Sequence, residues 1–194
     1  PAEVAEALFE QYLPRFAGDA IPSTAAGATL ALADRLDSLV GIFSIGQQPS
    51  GSRDPFALRR ASLGVLRIII ERNIDLDLTV AISSAANQFS TLSDEKLSHS
   101  ELCEQVLTYI LERLKAWYKE ENISTEVFAA VSSLDLSNPL DINARVQAVN
   151  QFSLLPEAVA LATANKRVSN ILAKQLGDKA PVAINTELLQ DSAE

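Results

Sequence analysis

A chain of 194 residues, 47% of them hydrophobic, can bury about 70% of its unfolded surface, so the sequence predicts a folded globular protein rather than a disordered one. Its 25 acidic and 16 basic residues give a formal net charge of −9, which excludes non-specific binding of nucleic acid over the whole surface. Any contact with phosphate must therefore come from a local basic patch. The single cysteine, Cys103, excludes an internal disulfide and fits a reducing cytoplasm.

The start of the chain and its hydropathy indicate a piece of a larger cytoplasmic protein. The first residue is Pro1 rather than Met, and neither a basic-then-apolar leader nor an apolar run of membrane length is evident. We therefore expect no contact with a membrane.

The first two predicted elements are helices. Glycine is scarce, with 7 residues, and Ala, Leu, Glu, Gln, Arg and Lys fill most of the chain, which favours an all-α fold. Residues 2–13 have the three-and-four apolar spacing of an amphipathic helix, and Pro14 ends it. Ser23 is the expected N-cap of a long helix over residues 25–45. That helix is almost entirely apolar, so we expect it to be the central, most buried one.

The third predicted helix carries the chain's main basic feature. Residues 46–53 form a loop, after which Asp54 as N-cap and Pro55 as first helical residue predict a helix to about residue 72. Its expected packing face consists of Phe56, Leu63, Leu66 and Ile70. A second face is expected to carry Arg53, Arg60 and Arg67, which repeat every seven residues.

The remaining elements are also predicted to be helices. Residues 76–89 form a weaker helix, with a short strand as the alternative, and a strong helix capped by Ser100 extends to about residue 121, where Asn122 stops it. Helices over residues 125–134, 139–152 and 156–176 follow, the last two opened by prolines. Gly177 and Pro181 mark the end of the last one, and residues 185–194 could begin another.

No constellation typical of an active site is present. The chain has no phosphate-binding glycine loop and only one histidine, His99, so it offers neither a histidine pair for a metal nor a Ser, His and Asp set. Asp34 has two interpretations. It lies either on a narrow solvent-exposed stripe with Asp37 and Arg35, or in a cleft as a ligand for a divalent metal.

A cluster of arginines is the best candidate for a binding site. In so acidic a chain these residues reverse the local charge, and arginine suits phosphate oxygens, although an ordinary solvated helix face would carry them equally well. The candidate RNA-binding residues are Arg53, Arg59, Arg60 and Arg67, near Arg72, and further along the chain Lys166 and Arg167.

Several blocks of the sequence resemble the beta subunit of the bacterial two-subunit glycyl-tRNA synthetase. The longest is ALADRLDSLVGIFSIGQQPSGSRDPFALRRASLGVLRIIIE from Ala31, which contains the signature-like DPFALRRASLGVLRIIIE from Asp54. QYLPRFAGDAIP from Gln11 and ANKRVSNIL from Ala164 are similar to family blocks in the same order.

The resemblance implies an organisation of the chain. Residues 1–122 would be a helical domain resembling HD-type phosphohydrolases, and residues 123–194 a helical connecting segment leading to an anticodon-binding-type domain. Asp34 resembles the closing Asp of the HD pattern, but the histidines of that pattern would lie before Pro1. No catalytic residue, metal or cofactor is therefore expected within this chain.

The resemblance also implies partners. The alpha subunit would hold the aminoacylation site with ATP and Mg²⁺, while the beta subunit would bind tRNA(Gly), in an enzyme of two alpha and two beta subunits. The alternatives are an HD-type metal-dependent phosphohydrolase and a helical protein-interaction module.

Overall fold

The computed structural model describes residues 2–89 and 97–176, and within these ranges the chain is all-α, as predicted. Its only β-type pairing there is an isolated bridge between Ser50 and Arg53. The strand considered for residues 76–89 is wrong, because a helix and a short 3₁₀ turn, Asn87–Phe89, occupy that segment. The helices are α1 Ala2–Glu10, α2 Ala25–Ser44, α3 Leu58–Glu71, α4 Leu78–Ala86, α5 His99–Glu120, α6 Thr125–Ser132, α7 Pro139–Ser153 and α8 Pro156–Leu176.

Two helices begin at a different cap from the one predicted. The N-cap of α2 is Thr24, whose hydroxyl accepts the N–H of Gly27 at 3.0 Å, and not Ser23. The N-cap of α5 is Ser98, which forms a reciprocal capping box with Glu101. In both cases neighbouring hydroxyl residues compete for one cap position, and tertiary contacts decide between them.

The start of α3 also differs from the prediction. Asp54 is not its N-cap, since the helix begins at Leu58 after Ala57, which has a left-handed φ of 54°. The Asp54 carboxylate nevertheless accepts the N–H groups of Leu58 at 2.8 Å and Arg59 at 3.0 Å. It therefore satisfies the free donors of the first turn from outside the helix.

The central helix is α2, as predicted, and it contacts α1, α3, α4 and α5. It is not apolar on all sides, however, because Ala33, Asp34, Asp37 and Ser38 form an exposed face. The largest fully buried side chains of α2 and α3 are Leu39, Val40, Leu58, Val65, Leu66, Ile68 and Ile69. Leu63 and Phe56, expected to pack with Leu66, are instead exposed.

The apolar face expected for α1 does not face the core. Its buried residues are Ala7 and Glu10, whereas Leu8 and Phe9 are exposed. The buried side of α1 packs against α2. Glu10 lies on that side because its carboxylate accepts hydrogen bonds from Ser23 and Thr24, the two residues that precede α2.

The later helices extend the same core. Tyr118 of α5 is buried and donates its hydroxyl to Asn143 of α7 at 3.1 Å, and burial raises its pKa. Asn122 ends α5 with a φ of 62°, which confirms its predicted role as a stop. Five residues at and after this turn complete the core: Ile123, Val127, Val131, Ile142 and Val146.

The chain divides into two compact units, Pro1–Asn150 and Gln151–Glu194. The predicted division at residue 122 into an HD-like domain and a connecting segment stays a prediction. In the second unit, α8 matches its predicted bounds and is exposed over residues 159–175. The stops expected at Gly177 and Pro181, and the helix considered for residues 185–194, lie outside the described residues.

No helix in the described ranges combines the length and the apolar character that crossing a membrane would require.

Candidate nucleic-acid interface

A buried arginine organises the connection between α1 and α2. The Arg35 guanidinium, whose residue is 8% exposed, donates to the carbonyl oxygens of Gln11 at 2.9 Å, Tyr12 at 3.2 Å and Pro14 at 3.1 Å. It also donates to the carbonyl of Ala31 at 2.9 Å within α2. One side chain therefore fixes the turn after α1 onto the middle of α2.

The sequence did not predict this role. One of the two interpretations of Asp34 placed Arg35 on a solvent-exposed stripe with Asp34 and Asp37; that placement is wrong for the arginine, although both aspartates are exposed. Burial lowers the pKa of Arg35, and the charge of Asp34 beside it partly offsets this effect.

A glycine of α3 allows the close approach that buries Arg35. A Cβ atom on Gly64 would lie 2.5 Å from Nε of Arg35, which is too close for any real contact. Only glycine at this position lets α3 pack against the guanidinium. The first three helices thus meet at Arg35.

A second buried charge lies at the start of α2. The Glu10 carboxylate, whose residue is 5% exposed, accepts the N–H of Ser23 at 2.6 Å and its hydroxyl at 2.7 Å. It also accepts the N–H of Thr24 at 3.0 Å and the Thr24 hydroxyl. Burial alone would raise the Glu10 pKa, but these hydrogen bonds outweigh it and lower the pKa to about 2. Glu10 is therefore ionised at neutral pH and complements the positive end of α2.

An open cavity of about 420 Å³ lies where the turn after α1, the middle of α2 and the start of α3 converge. Two aromatic residues line it, Tyr12 at 64% exposure and Phe56 at 45%. Arg15 and Arg60 contribute positive charge, and the Asp34 carboxylate contributes an acceptor. We call this feature the aromatic cavity.

Some arginine side chains of the predicted cluster form hydrogen bonds or ion pairs with other described residues, and others do not. Arg67 forms an ion pair with Glu71, at 2.6 Å between Nε and Oε1. Arg59 donates to the carbonyl of Gly51, and Arg72 donates to that of Ser23 at 2.6 Å. These three guanidinium groups already have protein partners, so they hold local structure.

Arg53 and Arg60 are different. Both are exposed, and neither side chain makes a hydrogen bond or ion pair within residues 2–89 and 97–176. Arg60 and Arg67 lie two turns apart on one face of α3. Arg53 precedes the helix, beside the bridge to Ser50, so helical geometry does not place it in a row with them.

Lys166 and Arg167, the other predicted RNA-binding residues, are exposed on α8 in the second unit. Together with Lys174 they line an open hollow on that helix, which also includes Thr163 and Asn170. The exposed side chain of Ile171 adds an apolar part to this basic hollow, which stays a candidate for contact with phosphate.

The described residues offer no metal centre. No group of three or more His, Cys, Asp or Glu residues lies close enough there to hold an ion. Asp34 is exposed beside Arg35, and it belongs to no such group among the described residues.

His99 contacts two polar side chains without forming a catalytic set. Its Nε2 atom lies 3.1 Å from Oγ of Ser83 and 3.6 Å from Sγ of Cys103. Burial raises the pKa of the Cys103 thiol, which disfavours the reactive thiolate. His99 itself is exposed in the first turn of α5, as expected of a solvated residue near a helix start.

The fold and the site define an all-helical protein with no catalytic set in its described part and with two exposed arginines, Arg53 and Arg60, of which Arg60 lines an aromatic cavity. A family model described as glycyl-tRNA synthetase beta subunit matches residues 1–133. This match covers more than half of the chain, so the chain belongs to the glycyl-tRNA synthetase beta subunit family, as the sequence blocks predicted.

Curated relatives agree with the family match. The chain is 54% identical over 192 residues to the glycine–tRNA ligase beta subunit of Marinobacter nauticus, covering 99% of this chain and 27% of the relative. It is 53% identical over 192 residues to that of Pseudomonas aeruginosa, with the same coverage. For Chromohalobacter salexigens the identity is 53% over 194 residues, covering 100% of this chain and 28% of the relative. The chain thus spans little more than a quarter of the length of these relatives.

Proposed function

We propose that this chain is part of the beta subunit of a cytoplasmic glycine–tRNA ligase, in which it contributes tRNA binding and subunit scaffolding. The observation that carries the proposal is an identity of 53–54% over almost the whole chain to proteins named glycine–tRNA ligase beta subunit. The ligase would attach glycine to tRNA(Gly) at the expense of ATP. The alpha subunit would supply the aminoacylation site with ATP and Mg²⁺, in an assembly of two alpha and two beta subunits.

The free arginines support a contact with RNA. Phosphate oxygens are bound best by guanidinium groups that are exposed and not already paired, because a paired group must first give up its partner. Arg53 and Arg60 meet this condition within the described residues, whereas Arg59, Arg67 and Arg72 do not. Among the candidate arginines of the first unit, we therefore propose that Arg53 and Arg60 contact phosphate.

Charge reversal at these two positions tests the proposal. In the complete two-subunit enzyme, Arg53→Glu with Arg60→Glu should weaken tRNA binding by about tenfold at moderate salt. The log–log salt dependence of the affinity should become shallower by roughly one to two units, because fewer counterions are released on binding. Glycine-dependent ATP exchange should stay unchanged, since it is assigned to the alpha subunit.

The matched control is Lys115→Glu with Lys119→Glu. It makes the same change in net charge at two exposed lysines of α5. Its affinity and salt slope should remain near those of the wild type. An assembled Arg53 and Arg60 variant with wild-type affinity and slope would assign both arginines to an ordinary solvated surface. Loss of alpha-subunit association in that variant would favour the interaction-module function instead.

A further inference from the structure

We propose that the aromatic cavity binds one unstacked nucleotide of the RNA, with the base against Tyr12 and Phe56 and the adjoining phosphate at Arg60. This proposal rests on the proposed tRNA-binding function and assigns it a second, chemically different contact. Phosphate contacts position an RNA, whereas stacking on a ring captures a base that has left its helix.

Two exposed aromatic side chains line the cavity. Tyr12 and Phe56 come from two different segments, the turn after α1 and the turn before α3, yet both line one cavity and both remain largely exposed. Their faces offer apolar area with little conformational freedom to lose on binding. Aromatic side chains of this kind stack on any base, because every base has a π face.

Three arginines also line the cavity. Arg60 lines it with a guanidinium that has no partner within the described residues, so it is free to meet a phosphate. Arg15 lies alongside, held by a 2.9 Å ion pair to Asp19 and stacked 6.0 Å above the ring of Phe16. Arg35 forms part of the lining as a fixed positive charge, since its nitrogens donate to backbone carbonyls.

Asp34 decides which part of the nucleotide enters. Its exposed carboxylate lines the cavity and would repel a phosphate placed directly against it, whereas Arg60 would attract one. An ionised carboxylate accepts hydrogen bonds only, which suits the exocyclic amino group of cytosine, adenine or guanine. The base therefore belongs inside, and the phosphate belongs at the Arg60 rim.

The rigidity of the cavity supports a preformed site. Arg35 ties the carbonyls of Gln11, Tyr12 and Pro14 to α2, so the backbone that carries Tyr12 is fixed before any ligand arrives. The Asp54 carboxylate fixes the other wall, because it bonds the first N–H groups of α3 immediately beyond Phe56. A preorganised pocket loses less entropy on binding than a flexible one.

The test uses the complete two-subunit enzyme carrying Tyr12→Ala with Phe56→Ala. Its affinity for tRNA should fall about tenfold or more, because one base–aromatic stack is lost. The salt slope should stay unchanged, since stacking releases no counterions. The variant pair Tyr12→Phe with Phe56→Tyr keeps both ring faces and should retain the affinity. Phe9→Ala, which removes an equally exposed ring of α1 outside the cavity, should also bind like the wild type.

A crosslink provides the direct readout. A photoreactive phenylalanine analogue at position 12 should crosslink to tRNA in the assembled enzyme, and Arg60→Glu should reduce the yield. Crosslinking to enzyme polypeptide instead, or wild-type tRNA affinity of the alanine pair, would overturn the cavity proposal. If the arginine reversal still weakens binding in that case, the tRNA-binding function stands and only the nucleotide pocket fails. If neither set of variants changes tRNA affinity, both proposals fail.

Discussion

Replacing Arg35 by methionine should destabilise the 194-residue chain by about 3–5 kcal/mol, because each buried carbonyl left without a donor costs about 1–3 kcal/mol. Methionine fills much of the same space but donates nothing to the carbonyls of Gln11, Tyr12, Pro14 and Ala31. Two of these hydrogen bonds, to Pro14 and Ala31, are buried, so water cannot readily satisfy those two carbonyls in place of the guanidinium. Urea unfolding followed by far-UV circular dichroism measures the loss.

Arg72→Met is the matched control for this substitution. Arg72 also donates to a backbone carbonyl, that of Ser23, but it does so at the exposed end of α3. Its loss should cost well under the effect at Arg35, about 1 kcal/mol or less. Equal losses for the two substitutions would show that the buried arginine does not hold the three helices together.

The sequence predicted where the helices lie better than it predicted which side of each helix is buried. Helical boundaries follow from local signals, and α8 lies where Pro156 and the following apolar periodicity placed it. The start of α3 was missed, because a left-handed alanine at Ala57 has no local signature. Its conformation depends on the contacts that Asp54 makes beyond it.

The burial of Arg35 could have been inferred from spacing. It shares one side of α2 with Ala28, Ala31 and Leu39, at intervals of three and four residues, and those residues are buried. The prediction of an exposed Arg35 followed the charge of its side chain rather than its position in the spacing, since arginine is rarely buried without partners. Its partners are backbone carbonyls, three of them in the turn after α1 and one in α2, and a pattern of residue types does not reveal such partners.

The aromatic cavity could not be predicted from the sequence. Tyr12 belongs to an apolar repeat that indicates a buried face, and Phe56 follows a cap signal that indicates a helix interior. Both expectations assume that local periodicity decides burial. The hydrogen bonds of Glu10 and Arg35 instead hold α1 and its following loop so that Tyr12 remains exposed. Phe56 lies outside α3, in the turn before it, and lines the same opening.

Glu10→Gln should destabilise the chain by about 2–3 kcal/mol at neutral pH, because a charged acceptor of several hydrogen bonds is replaced by a neutral group with one oxygen. The amide nitrogen of Gln would also face the donors of Ser23 and Thr24. The wild-type advantage should depend on pH. The folded-state pKa of Glu10 is lowered from 4.5 to about 2, so protonation favours the unfolded chain. The advantage is therefore fully present above about pH 4.5 and is lost as the pH falls toward 2.

Urea unfolding of the wild type and Glu10→Gln at several pH values between 7 and 2.5 isolates this contribution. The quantity to compare is the difference in free energy of unfolding between the two chains. Arg15 also lowers the pKa of Asp19 to about 2, so the stability that Asp19 contributes is lost in the same pH window. Asp19 is present in both chains, so its effect cancels. Glu6→Gln, at an exposed position of the same helix, should change stability little at any pH. A Glu10→Gln difference that stays constant from pH 7 to 2.5 would contradict an ionised carboxylate at the start of α2. In that case the hydrogen bonds of Ser23 and Thr24 would have to be satisfied equally well by a neutral side chain, and the helix dipole would contribute nothing measurable.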